Sequence, residues 1–215
     1  MLKAGPYTIV TGGALGVDLE AEKLARNHGM AVEVYVPPCH PRSKLITPVS
    51  HEALREAIPL TNQAAFRLNR NLQSPISMQY IHRNYHVVKN ASMVLAFGSF
   101  QTGTKLIHGG TGWGVEFAKL LKKSLYVYDV DRNIWMWFDN SQDQFSPCEQ
   151  MTEEQIMNPT LMSRTAIIGV RNIYDYPVAL LELNELFKRS LNINDYPDVL
   201  LELNKLFKRS LNIKF

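Results

Sequence analysis

The chain of 215 residues is long for one domain and short for two, and its 46% hydrophobic content is enough for a full core without a metal or disulfide staple. Charged residues make up 20%, the formal net charge is +3, and Lys and Arg are scattered rather than gathered in a stripe, which argues against a nucleic-acid partner. No apolar run approaches the roughly 18 residues of a membrane span, no signal segment precedes the first strand-like run, and Cys39 and Cys148 lack C-x-x-C partners. These features predict a cytoplasmic protein with two free thiols and no membrane association.

In chain order, "YTIVT" (7–11) reads as the first strand and "GVDLEAEKLARNHG" (16–29) as a helix, with Val17, Ala21, Leu24 and Ala25 at helical spacing and Gly29 as its stop. "AVEVYVP" (31–37) reads as a second strand closed by Pro37 and Pro38. A proline-punctuated stretch follows, with a short helix near "SHEALREAI" and a longer one over 63–72. Ser74 as N-cap and Pro75 at the first position predict a helix over 74–91. "SMVLAFG" (92–98) and "SLYVYD" (124–129) read as buried strands, "IWMWF" (134–138) as a short edge strand, and the region around Gln142 to Glu154 as loop. "TAIIGVRN" (165–172) predicts a further strand, and 176–191 a strong helix. Strands alternating with helices predict an α/β fold of three layers around a mostly parallel sheet.

The tail repeats itself: residues 172–191 and 192–211 match at 16 of 20 positions. Two copies are too few for a solenoid, so this is a local duplication of one helical unit. The organisation expected is a single domain over 1–191, closed by 172–191, with 192–215 as an appended helix that either packs on the outside or pairs with another subunit.

Three strand–glycine junctions stand out. "TGGALGVD" holds Gly12, Gly13, Gly16 and Asp18; "HGGTGWGVE" holds Gly109, Gly110, Thr111, Gly112, Trp113 and Glu116; "IIGVRN" holds Gly169 and Arg171. Gly98 ends the strand before the second junction. In a parallel sheet such junctions gather at the carboxyl edge, where open α/β folds bind ligands. Glycine lets a backbone approach closely, and a helix N-terminus offers unpaired N–H groups to an anion, so phosphate or nucleotide binding is the expectation over a purely structural reading.

"TAIIGVRNIYDYP" and "YTIVTGGALGVDLEAEKLARNHG" resemble the first and second segments of the SLOG superfamily, a Rossmann-like group that includes LOG-type phosphoribohydrolases and Smf-type DNA-processing proteins. "HGGTGWGVE" resembles the LOG motif P-G-G-x-G-T-x-x-E: Gly109, Gly110, Gly112 and Glu116 fall at its spacing, with His108 in place of proline and Trp113 in place of threonine. Arg83, in "HRNYHVVKNASMVLAFG", matches the arginine these proteins carry ahead of the fourth strand. The order departs from the family, because the unit that usually comes first comes last here. A circular permutation accounts for this and predicts that "TAIIG" lies beside and parallel to "YTIVT"; the alternative is an edge strand with an exposed arginine.

The resemblance implies binding of a nucleotide or nucleoside phosphate, with no cofactor, as a homodimer or higher homo-oligomer. Its most specific enzymatic implication is N-glycoside hydrolysis, with Glu116 in the first turn of its helix as the catalytic carboxylate and Arg83 assisting; the alternative is a non-catalytic sensor of a nucleotide-like signal. A first-turn glutamate is equally explained by the helix macrodipole. Asp18 is either a dipole-complementing residue or an acceptor for ribose or the glycine loop. Arg83 is either an anion clamp or a solvated helix arginine, and Trp113 either stacks on a base or covers the helix start. Cys39–His40 and the His82/His86 pair lack companions at metal spacing, so no metal site is expected.

Overall fold

A computed structural model of the protein describes residues 7–71, 74–148 and 163–190. In chain order these form β1 (Thr8–Thr11), α1 (Val17–Asn27), β2 (Ala31–Val34), α2 (His51–Glu56), α3 (Ile58–Arg67), α4 (Pro75–Lys89) and β3 (Met93–Gly98). There follow α5 (Gly109–Leu120), β4 (Ser124–Asp129), β5 (Ile134–Asp139), β6 (Gln144–Pro147), β7 (Arg164–Gly169) and α6 (Pro177–Ser190). Short 3-10 turns lie at Pro41–Lys44 and Ile173–Asp175.

The strands form one sheet in the order β2-β1-β7-β3-β4-β5-β6. The first five are mutually parallel, and β5 and β6 are added through two antiparallel pairings. In the central strands successive side chains enter opposite cores. Along β7, Ala166 and Ile168 face the core under α3, α4 and α5, while Ile167 faces the core under α1 and α6. Along β3, Val94 and Ala96 take the first side and Met93, Leu95 and Phe97 the second. Burial on both faces is why these strands read as unbroken apolar runs rather than alternating ones. The result is the Rossmann-like α/β fold of three layers expected from the sequence.

β7 sits between β1 and β3, pairing Thr8 with Arg164 and Val10 with Ala166 on one side and Phe97 with Gly169 on the other. The predicted neighbour relation of "TAIIG" and "YTIVT" is therefore present, and β7 is not an edge strand. Ser74 caps α4 as expected, its hydroxyl accepting from the Ser77 N–H.

Several boundaries differ from the sequence reading. α3 begins at Ile58 rather than 63, because Pro59 falls in the first turn, where a missing N–H goes unnoticed. It ends at Arg67 rather than 72, where Asn69 adopts φ 50. β2 stops at Val34. β5 is an interior strand, and the polar stretch read as loop contributes the true edge, β6, through a hairpin whose Asp143 takes φ 50. The appended helix expected over 192–215 lies outside the described residues.

Candidate functional site

The carboxyl ends of β1, β3 and β7 open onto a cleft of about 550 Å³. Its walls come from the loop after β1 (Ala14), the start of α1 (Asp18), α4 (Tyr80, Arg83, Asn84), the start of α5 (His108 to Thr111) and the segment after β7 (Gly169 to Asn172, Asp175 and Tyr176). Among the expected site residues, Asp18, Arg83, Gly109, Gly110, Thr111, Gly169 and Arg171 meet here.

Asp18 is buried and holds two junctions together. Its carboxylate accepts from the Gly12 N–H at 3.1 Å and, through its other oxygen, from the Gly169 N–H at 3.2 Å. The Arg83 guanidinium lies 3.5 Å from it, and both side chains are 5% exposed. Burial pushes the Asp18 carboxyl above the ordinary carboxylate range, against the pull of Arg83 and the N–H groups of Gly169, Gly12 and Ala14. Burial likewise lowers Arg83, with Asp18 opposing. In this pair each group's charge offsets part of the other's burial cost. The Arg83 Nε is buried without a hydrogen-bond partner among the described residues, and its guanidinium lies 5.9 Å from the Tyr80 ring centroid.

The glycines divide into two kinds. Gly12 and Gly16 are packing glycines: a Cβ on Gly12 would overlap the Arg83 guanidinium, and one on Gly16, at φ 87, would strike the carbonyls of Val170 and Arg171. Gly13 is closed in by Val34 and Arg42, and Gly98 by Ile107 and Thr111. Gly112 is pressed against the Ile107 carbonyl. None of these five lines the cleft. Gly109 and Gly110 differ, since a Cβ on either would meet nothing within 4 Å. The Gly109 carbonyl accepts from Arg70 at 2.7 Å and the Gly110 carbonyl from Asn84 at 3.4 Å. In trans peptides this turns the N–H groups of Gly110 and Thr111 the opposite way, toward the N-terminal end of α5, where the helix has no internal acceptors for them.

Glu116 stands elsewhere. α5 already begins at Gly109, so Glu116 is two turns along it, about 10 Å from the helix start, rather than in the first turn. It is 2% exposed, 2.7 Å from the Lys119 ammonium and 3.5 Å from Arg67. The ammonium in turn lies 5.0 Å from the Phe138 ring centroid and 4.9 Å from that of Phe145. This is a buried ionic tie between α5, α3 and the β5–β6 hairpin, and Glu116 does not line the cleft. Trp113, also off the cleft, is 3% exposed in the core under α3 and α4. Gly112, Trp113 and Glu116 occupy positions in an established helix, which explains why the motif's spacing does not bring them to the cleft.

Sequence reasoning missed Tyr80, Asn84, Ser99, Asn172, Asp175 and Tyr176 on the walls, and gave His108 no role. Tyr80 and Asn84 were recoverable, because their helical spacing from each other places them beside Arg83 on one face of α4. The segment after β7 carried no motif beyond Arg171. Among the described residues no group of three or more His, Cys, Asp or Glu side chains could hold a metal ion, and no helix is long and apolar enough to cross a membrane. Cys39 is exposed and Cys148 half-buried, both as free thiols.

No protein-family model matches the chain, and no curated protein matches it in sequence. Among solved structures it is similar to the "Putative molybdenum carrier protein" of Syntrophus aciditrophicus SB, at 18% identity over 86% of this chain and 94% of that one, with a TM-score of 0.48.

Proposed function

We propose that the chain is a binding module for a nucleotide or nucleoside phosphate, built as a circularly permuted SLOG-type domain. The observation that carries this reading is the start of α5. Its unobstructed Gly109–Gly110 turn lies in the wall of the same cleft as Arg83 and Arg171. A helix N-terminus attracts an anion through its free N–H groups and its dipole. Arg171 is exposed at the wall and adds a cation with bidentate geometry for a phosphate. Tyr80 and Tyr176 supply aromatic surface for a base. The position of β7 between β1 and β3 supports the permutation, since it returns the last β–α unit to the place the family's first unit takes.

Binding is the reading favoured over hydrolysis. Glu116, the carboxylate that the motif offers for N-glycoside cleavage, is held in its ionic tie away from the cleft. The test is a calorimetric titration with AMP, ADP, ADP-ribose, NAD and inorganic phosphate, with free base followed by chromatography. Saturable binding of a phosphate-bearing ligand without base release is expected. Absence of binding by every phosphate compound to the folded protein would overturn the reading. Steady release of free base would replace it with the hydrolase.

A further inference from the structure

The repeat in the tail gains meaning from the way its first copy is seated. α6 and the turn before it close one face of the sheet through Ile173, Ala179, Leu183, Leu186 and Phe187, each no more than 2% exposed. Polar and ring contacts add to this: the Trp135 indole donates to Glu182 at 2.9 Å, Phe187 stacks on His28, and the Tyr174 hydroxyl donates to Glu20 at 2.6 Å.

Residues 192–211 carry the same seating code. Ile193, Leu203, Leu206 and Phe207 stand where Ile173, Leu183, Leu186 and Phe187 stand, and Glu202 matches Glu182. The four differences are Tyr174 against Asn194, Val178 against Asp198, Ala179 against Val199 and Glu185 against Lys205. Only one of them, Ala179, falls at a buried position. The chain therefore holds two units with nearly the same apolar face and a single described groove that fits it.

We propose that residues 192–211 are an alternative occupant of the α6 groove, so that the two copies exchange in that seat within one chain. The first copy is favoured. Seating the second inserts the twenty residues 172–191 into the connector after Arg171, which disfavours it by on the order of 30-fold through loop closure. Val199 adds bulk where Ala179 is fully buried, Asn194 lacks the hydroxyl that reaches Glu20, and Lys205 lacks the carboxylate that pairs with Lys188. Exchange also alters the cleft wall. Asn192, Asp195 and Tyr196 repeat Asn172, Asp175 and Tyr176, but the residue ahead of the seated unit becomes Leu191 instead of Arg171. The exchange itself does not depend on what the cleft binds.

The test uses the full chain with Leu183→Asp, with Leu203→Asp, and with both. Leu203→Asp is expected to leave the thermal midpoint unchanged, and Leu183→Asp to lower it while keeping a cooperative transition, because the second copy takes the seat. The double variant loses the transition. Equal loss in Leu183→Asp and the double variant would overturn the proposal. A second readout uses a short bismaleimide in a Cys39→Ser/Cys148→Ser background. The Glu20→Cys/Asn194→Cys pair cross-links within one chain at no more than about a thirtieth of the yield of Glu20→Cys/Tyr174→Cys, the loop factor above setting the upper bound. Adding Leu183→Asp raises that yield at least tenfold. A product only of dimer mass, or a yield that Leu183→Asp leaves unchanged, would also overturn it.

Discussion

Replacing Glu116 by alanine leaves the Lys119 ammonium, 6% exposed in its side chain, without the carboxylate 2.7 Å away. Removing one partner of a buried ion pair typically costs about 3–5 kcal/mol, because the remaining charge is uncompensated. Here part of that loss is offset, since the Phe138 and Phe145 rings stay near the ammonium and a cation–π contact contributes about 1 kcal/mol. A destabilisation of about 3 kcal/mol is therefore expected. With a urea m-value of about 2 kcal/mol/M, the denaturation midpoint falls by about 1.5 M. The thermal midpoint falls by roughly 10 °C for a domain of this size. Pairing Glu116→Leu with Lys119→Met restores most of the stability, as buried ion pairs replaced by apolar residues usually do. Ligand affinity, measured by calorimetry on the folded fraction, stays within about twofold of the parent, because the tie is two helical turns from the cleft. A Glu116→Ala protein of parental stability that had lost ligand binding or turnover would refute the reasoning and return Glu116 to the site.

Gly110→Ala and Gly112→Ala form a matched pair: the first adds a methyl to open space and leaves stability unchanged or up to ~1 kcal/mol higher. The second drives a Cβ into the Ile107 carbonyl and lowers stability by about 1–3 kcal/mol in urea denaturation. Arg171→Ala, at an exposed wall position, weakens binding of a phosphate ligand about tenfold in calorimetry, with no shift of the thermal midpoint. Glu33 is held below the usual carboxylate range first by its hydrogen bonds from Arg164, at 2.7 and 2.6 Å. Its contribution is complete above the unfolded glutamate value of about 4.3 and is lost as pH falls through the lower folded value. Glu33→Gln thus flattens the acid limb of a stability-against-pH curve below about pH 5 and loses roughly 0.5–1 kcal/mol at pH 7, a small amount because the pair is half-exposed.

The sequence by itself determined the class of fold and the edge of the sheet at which the cleft opens. Runs such as "MVLAFG" and "TAIIG" admit burial on both faces, and helices between them require parallel crossovers, so the glycine junctions had to converge at one edge. Asp18, Arg83, Gly109 and Arg171 could be expected at that cleft from residue type and place in the element. Only the tertiary structure decided what each glycine is for. Gly12 makes room for a guanidinium from α4 and Gly109 faces open space, a difference set by neighbours far away in the chain. The same holds for Glu116. Its spacing from the glycines is the motif's, but where α5 begins, with Lys119 one turn on and Arg67 approaching from α3, decides whether the carboxylate faces a ligand or a lysine. A helix start can slide along a run of glycines with little change in local preference, so the packing of Gly112 on Ile107 and of Trp113 in the core sets it.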